Sequence, residues 1–169
     1  FATKEVCRWM SSPTTSSEAS LKRLARYIKG EPRLVYMYPS QRCDRIDVYS
    51  DTDWAGCPRT RKSTTGGTIM MGSHTIKTWS STQSGGPKLS SGEAEFHGVV
   101  KACGMGLGYQ ALLKDLGITV EITCWTDSSA AVGICQRQGV GKIRHLETHT
   151  LWVQHAVRTK AVELRKIEG

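Results

Sequence analysis

Val48-Tyr-Ser-Asp-Thr-Asp-Trp-Ala-Gly56 is the stretch on which the fold prediction depends. The apolar alternation that begins at Ile46 predicts a β-strand, which we expect to end at Asp51 and Asp53, just before a turn. A strand that delivers carboxylates to a turn is one way to build a metal or acid–base site. Because aspartate is also a common turn residue, the stretch indicates a site only if other carboxylates occur in matching positions.

Two further carboxylates occur at the start of a predicted helix and at the end of another predicted strand. Ser90-Ser-Gly-Glu93 has the pattern of a capping box, in which Glu93 reaches back to the helix N-terminus. Since a helix turns by about 100° per residue, Glu95 points away from Glu93, and we assign Glu95 to chemistry. Asp127 ends the strand predicted from Val120 to Thr126, where it could instead cap the helix that follows.

Three carboxylates in one place could not all ionise without a cation, because like charges raise each other's pKa. The carboxyl ends of strands in open α/β sheets are positions where sites form. We therefore expect Asp51, Glu95 and Asp127 to bind Mg²⁺, which takes a few carboxylates together with waters and substrate phosphates. Two such ions about 4 Å apart are typical of phosphodiester hydrolysis.

The composition predicts a soluble intracellular protein with a polyanionic partner. No apolar run approaches the ~18 residues of a membrane span, and the N-terminus has no signal-peptide pattern. The 6 cysteines include no C-x-x-C pair, so we interpret them as reduced and structural. The net charge of +8 favours nucleic acid as a partner.

The order of predicted elements indicates an α/β fold. Residues 1–40 are expected to form a helical tether, with an amphipathic helix opened by Ser17-x-x-Ser20 and an edge strand at Leu34–Tyr38. Residues 41–169 are expected to form a domain in which three meandering strands precede a helix, a strand, two helices and a last strand. The second of those two helices is predicted from Lys142 to Arg158.

Six short motifs occur in order along the chain: Tyr49-Ser-Asp-Thr-Asp-Trp-Ala-Gly-Cys57, Arg61-Lys-Ser-Thr-Thr-Gly-Gly67, Trp79-Ser-Ser-Thr-Gln83, Leu89-Ser-Ser-Gly-Glu-Ala-Glu-Phe96, Thr126-Asp-Ser-Ser-Ala-Ala131 and Arg144-His-Leu-Glu147. One such motif carries little information, but the ordered set is specific. The set resembles the ribonuclease H domain of copia-type LTR retrotransposon polyproteins. Residues 7–13 and 21–30 are similar to the segment that links such domains to reverse transcriptase.

The resemblance implies a ribonuclease H-like fold, with a mixed five-stranded sheet and helices packed on it. It implies cleavage of the RNA strand of RNA–DNA hybrids with two Mg²⁺ ions, for which Mn²⁺ can substitute. Asp51, Glu95 and Asp127 are the implied catalytic residues and metal ligands, with Asp53 as the second choice for Asp51. The implied partners are the hybrid and the reverse transcriptase domain of the same polyprotein, without a membrane, in a cytoplasmic virus-like particle or the nucleus.

A fourth carboxylate follows the last strand in ribonuclease H proteins, and the sequence ends at Gly169 before such a segment. Glu147 is the alternative fourth ligand, although it precedes the last strand and its position favours an ordinary helix carboxylate. Basic residues near the carboxylates are candidates for contacts with backbone phosphates, or else simply solvated charges. These are Arg59, Arg61, Lys62, Arg137, Lys142 and Arg144.

Two other functions fit the same sequence. One is a catalytically weak or silent ribonuclease H-like module that binds nucleic acid or packs on a reverse transcriptase. The other is a related nuclease or transposase, because one fold hosts several functions. The sequence gives no indication of the oligomeric state.

Overall fold

A five-stranded sheet forms the centre of the computed structural model, which describes residues 2–141, 145–146 and 148–168. The strands are β1 (Arg45–Asp53), β2 (Thr64–Met71), β3 (His74–Thr82), β4 (Glu121–Thr126) and β5 (Glu163–Lys166). The helices are α1 (Ala2–Cys7), α2 (Thr15–Gly30), α3 (Ser91–Asp115), α4 (Ser129–Gln136) and α5 (Trp152–Arg158), with a 3₁₀ turn at Thr148–Thr150.

The strands lie in the order β3-β2-β1-β4-β5. β1 and β3 each pair antiparallel with β2, whereas β4 is parallel to both β1 and β5. The carboxyl ends of β1, β3, β4 and β5 therefore lie along one edge of the sheet. The predicted mixed five-stranded sheet with helices packed on it is confirmed.

The core lies between α3 and one face of the sheet. Ile46 and Val48 of β1 are buried against a cluster that includes Phe96 and Val99 of α3. Gly98 lets the helix approach the sheet, because a Cβ there would lie 2.5 Å from Thr52 Oγ1. Glycine at this position thus serves the packing of α3, although it weakens α3 as an isolated helix.

The chain divides into two compact units, residues 1–39 and 40–169. In the first unit, Thr14 rather than Ser17 is the N-cap of α2, and Ser17 completes the capping box with its own hydroxyl. The predicted edge strand at Leu34–Tyr38 is wrong, because the segment is not a strand in the structure and its side chains are exposed. The assignment of residues 1–40 as a tether stays a prediction.

In the second unit, β1 ends at Asp53, and both Asp51 and Asp53 pair with β2. The single helix predicted from Lys142 to Arg158 is also wrong. Its described part contains the 3₁₀ turn and the short helix α5. Lys142, Arg144 and Glu147 lie outside the described residues. Within the described ranges, none of the helices has the length and apolar character needed to cross a membrane.

Two glycines of α3 provide a test of this packing. We expect Gly98→Ala to destabilise the protein by about 1–3 kcal/mol, because the new methyl group would overlap Thr52 and force α3 away from the sheet. The matched control is Gly108→Ala, whose Cβ would meet open space, and which should stabilise the helix by up to about 1 kcal/mol. Urea unfolding measures both changes. Equal effects of the two substitutions would contradict the packing described for α3.

Candidate metal centre

The register of the parallel strands brings two aspartates side by side. Tyr49 of β1 is paired with Trp125 of β4. Two residues further on in each segment lie Asp51, still in β1, and Asp127, directly after the end of β4. Neighbouring strands are about 4.8 Å apart, which leaves the two carboxylates at the same edge of the sheet. Asp127 is not the N-cap of α4, because the Ser128 side chain accepts the hydrogen bond from Ala131 N.

The third carboxylate comes from the first turn of α3. Glu95 lies on the side of the helix that faces the sheet, and its carboxylate meets those of Asp51 and Asp127. One ligand oxygen from each of the three residues lies within 4.8 Å of the other two. The structure therefore brings together the three residues that were predicted as ligands, while their roles in metal binding and catalysis remain predictions.

The environment of Glu95 disfavours its charged form. Burial, followed by the negative charges of Asp51 and Asp127, raises the pKa of Glu95 to about 7. One carboxylate oxygen of Glu95, Oε2, is buried and has no hydrogen-bond partner among the described residues. A buried acceptor without a donor costs free energy, so the site is electrostatically incomplete as it stands. A cation would complete it.

Glu93 has a structural role that differs in detail from the predicted capping box. Ser90 Oγ accepts a hydrogen bond from Glu93 N at 3.2 Å, as predicted. The Glu93 side chain, however, accepts from Leu89 N at 2.9 Å and lies 3.1 Å from His145 Nε2. His145 thereby connects the segment before α5 to the N-terminus of α3. Sequence reasoning missed this pair, because 52 residues separate the partners.

Asp53, the second choice for Asp51, lies outside the cluster. Its side chain instead contacts Gly56 so closely that a Cβ at Gly56 would overlap the Asp53 carboxylate. This contact fits a role in the Asp-Trp-Ala-Gly turn. Any larger residue at Gly56 would displace the carboxylate.

A cavity of about 270 Å³ opens beside Asp51 and Asp127. Its wall includes Tyr49 and Trp125, whose rings are stacked with centroids 6.1 Å apart. Trp125 Nε1 donates a hydrogen bond to Asp47 Oδ1 at 2.8 Å, and the Arg165 guanidinium lies 5.7 Å from the Trp125 ring. This side of the two aspartates therefore has a fixed aromatic wall. Nothing in the sequence motifs had indicated it.

The predicted phosphate-contacting residues lie in two places. Arg59 and Arg61 are exposed and Lys62 is half-buried in the turn between β1 and β2. This turn is closed by a hydrogen bond of 2.8 Å from Arg61 N to Cys57 O. Arg137 follows α4, and its Nη2 donates to Val140 O at 2.7 Å. The other two candidates, Lys142 and Arg144, lie outside the described residues, as does Glu147. The described basic residues stay candidates.

No family model matches the chain. The chain is 28% identical over 167 residues to the retrovirus-related Pol polyprotein from transposon RE1 of Arabidopsis thaliana, which is 97% of this chain and 11% of that protein. It is 35% identical over 97 residues to an uncharacterised mitochondrial protein of the same plant, which is 57% of this chain and 40% of that protein. The predicted resemblance to copia-type retrotransposon polyproteins is confirmed.

The chain is also similar to solved structures. The chain is similar to LC11-RNase H1 isolated from compost, with 18% identity and a TM-score of 0.48, over 74% of this chain and 85% of that chain. It is also similar to the Prototype Foamy Virus protease-reverse transcriptase, with 17% identity and a TM-score of 0.48, over 79% of this chain and 18% of that chain.

We expect Glu95→Gln to stabilise the metal-free protein at pH 8. The folded-state pKa of Glu95, about 7, exceeds the ordinary value of 4.5. Stability from this group is therefore fully present below pH 4.5 and is lost as the pH rises through 7. The neutral glutamine avoids that loss. The gain should be on the order of 1 kcal/mol, since part of the side chain is still solvated.

Urea unfolding in the presence of a chelator, at pH 5 and pH 8, measures this gain. The matched control is Asp53→Asn, which removes one negative charge from the same strand edge outside the cluster. We expect Glu95→Gln to gain stability mainly at pH 8 and Asp53→Asn to gain little at either pH. A gain of the same size in both variants would mean that the three-carboxylate cluster is not the source.

Proposed function

We propose that this chain is a ribonuclease H, which hydrolyses the RNA strand of RNA–DNA hybrids by a two-metal-ion mechanism during retrotransposon reverse transcription. The observation that carries the proposal is the convergence of Asp51, Glu95 and Asp127 within 4.8 Å at one edge of the sheet. The motif resemblance supports the hybrid as substrate. The net charge of +8 suits a polyanion.

The residues of the cluster fit Mg²⁺. All three ligands offer carboxylate oxygens, the donors that this hard cation prefers, and few enough of them to leave positions for waters and a phosphate. The unpartnered Glu95 Oε2 and the raised pKa of Glu95 both indicate that the site lacks a positive charge. Mn²⁺, another cation that suits carboxylate ligands, could substitute.

The proposed reaction is the hydrolysis of a phosphodiester bond. The oxygen of a water molecule bonds to the phosphorus and the water loses a proton. The bond from phosphorus to the RNA 3′ oxygen breaks and that oxygen takes up a proton, so the products carry a 5′-phosphate and a 3′-hydroxyl. When bound, Mg²⁺ supplies the positive charge that makes water nucleophilic and stabilises the leaving oxygen. The three carboxylates hold that charge at the sheet edge, where without it they would repel a phosphate.

Binding of the hybrid would use the surface around this edge. Selectivity for RNA in a hybrid would rest on shape and on contacts to 2′-hydroxyl groups. Arg59, Arg61, Lys62 and Arg137, together with Lys142 and Arg144 outside the described residues, are proposed phosphate contacts. The chain spans 11% of the polyprotein from transposon RE1. The reverse transcriptase domain of the same polyprotein is its proposed partner, in a virus-like particle or the nucleus.

A weak or silent module is the second candidate. In the described part of the chain the cluster has 3 carboxylates, whereas the resemblance implies a fourth, for which Glu147 was the candidate. A site with fewer ligands would bind Mg²⁺ less tightly. Such a module could still bind nucleic acid or pack on a reverse transcriptase.

We expect Mg²⁺ to stabilise the folded protein, because it binds the cluster in the folded state only. A cation present at 100 times its dissociation constant adds about 2.7 kcal/mol to the free energy of unfolding. Urea unfolding at pH 8 with and without Mg²⁺ measures this increase. Asp127→Asn should lose most of it, whereas Asp53→Asn should retain it. An equal increase in both variants would place the cation elsewhere.

Cleavage of a labelled RNA–DNA hybrid in Mg²⁺ tests the activity. We expect Asp51→Asn and Asp127→Asn to lower the rate about 100-fold or more, as removal of a group that stabilises transition-state charge does. Asp53→Asn is the matched control and should stay near the wild-type rate. Equal cleavage by wild type and Asp127→Asn would refute the proposal, and binding without cleavage by wild type would favour the silent module. Cutting of double-stranded DNA would favour a related nuclease.

A further inference from the structure

A surface cleft of about 390 Å³ lies between the end of α4 and α5. We call it the α4–α5 cleft, defined by Arg137 and Gln138 after α4 and by Gln154, His155 and Arg158 of α5. It is separate from the carboxylate cluster, which lies at the other end of α4. Arg137 is already a proposed phosphate contact, whereas the other residues of the cleft have no role in the proposed reaction.

The described lining of the cleft carries positive charge and no carboxylate. Arg137 and Arg158 each contribute a guanidinium group. Arg158 Nη2 donates to His155 Nδ1 at 3.2 Å, which engages the imidazole but leaves the charge of Arg158 uncompensated. Arg137 Nε is buried and has no hydrogen-bond partner among the described residues. Two guanidinium groups that line one cleft without a described acidic partner favour an anion with several acceptor oxygens.

A buried glutamine connects the two sides of the cleft. Gln154 is 8% exposed, and its Oε1 accepts a hydrogen bond from Gly139 N at 2.9 Å. Its Nε2 donates to Ile134 O at 2.9 Å and to Gly139 O at 3.0 Å. These three bonds fix the loop after α4 against α5. Because the loop is fixed before any ligand arrives, less conformational entropy is lost on binding.

We propose that the α4–α5 cleft binds a backbone phosphate of the nucleic acid whose RNA strand is cleaved at the carboxylate cluster. This inference rests on the proposed function and adds a phosphate subsite to it, with Arg158 as a residue that the sequence motifs did not indicate. α4 has 8 residues and rises by about 1.5 Å per residue. The cleft is therefore roughly 12 Å from Asp127. A duplex that rises about 3.4 Å per base pair spans that distance in three to four base pairs.

The competing explanation for Arg158 is local. Arg158 and His155 lie in the last turn of α5, where cations complement the helix dipole. That role requires no ligand and would affect stability only. The experiment therefore has to measure binding and its dependence on salt, separately from folding.

The test uses the full chain with Asp127→Asn, which is expected to bind the hybrid without cleaving it. Arg158→Gln and Arg137→Gln are added singly, and binding to a fluorescent RNA–DNA hybrid is measured by anisotropy over a series of salt concentrations. Lys114→Gln, at the opposite end of α3 from the cluster, is the control with the same charge change. Thermal unfolding shows whether each variant is folded.

We expect each arginine variant to lower the slope of log K against log salt by about 0.9, the value for one lost phosphate contact, and to weaken binding at every salt concentration. Lys114→Gln should leave the slope unchanged. The proposal is overturned if Arg158→Gln and Arg137→Gln keep the parent slope, or if Lys114→Gln lowers it equally. A change in thermal stability alone would leave the helix-dipole role as the explanation.

A second measurement does not depend on the loss of a side chain. The Nε–H signals of Arg137 and Arg158 are followed by NMR during titration with the same hybrid. We expect both signals to shift, because each guanidinium group would contact a phosphate. Arg137 Nε would also gain a hydrogen-bond acceptor. Unshifted signals at saturating hybrid would contradict the subsite, even if the slopes changed. Because binding and NMR use a chain that does not cleave, a wild type that binds here yet fails to cleave the hybrid would refute the ribonuclease activity alone.

Discussion

The mutual repulsion of Asp51, Glu95 and Asp127 is the constraint on which the rest of the structure depends. Three carboxylates within 4.8 Å of one another destabilise any fold that contains them without a cation. The protein must therefore fix their positions by interactions elsewhere. The parallel pairing of β1 and β4 fixes the two aspartates, and the packing of α3 on the sheet fixes the glutamate.

Glu93 and Glu95 both lie in the first turn of α3, but their surroundings differ. Glu93 is satisfied by Leu89 N and His145, so that its pKa is lowered in spite of its burial. Glu95, two residues further on, is half-buried and faces the negative charges of Asp51 and Asp127, so its pKa is raised. Neighbouring carboxylates of one helix thus have opposite shifts because of their surroundings. This contrast is the strongest physical reason to assign binding of a cation to Glu95.

Two arginines lie at the end of α4 that is opposite the three carboxylates. One end of α4 begins beside Asp127, and the other ends at the α4–α5 cleft, where Arg137 and Arg158 lie without a described acidic partner. A polyanion that crosses α4 would meet the proposed metal site and the basic cleft together. Gln154 fixes the position of the cleft, because its side-chain hydrogen bonds connect the loop after α4 to α5.

The sequence by itself determined the sheet-and-helix composition, the identity of the three carboxylates, and the resemblance to retrotransposon polyproteins. These depend on local signals: alternation in strands, capping residues such as Ser90, and short ordered motifs. Local signals failed at Leu34–Tyr38, whose β-prone residues have no neighbouring strand, and in the segment predicted as one helix before β5. Only the tertiary structure decided the register that aligns Asp51 with Asp127, the contact between Glu93 and His145, and the basic cleft. Each of these joins residues far apart in the chain, and their proximity follows from packing that no local pattern encodes.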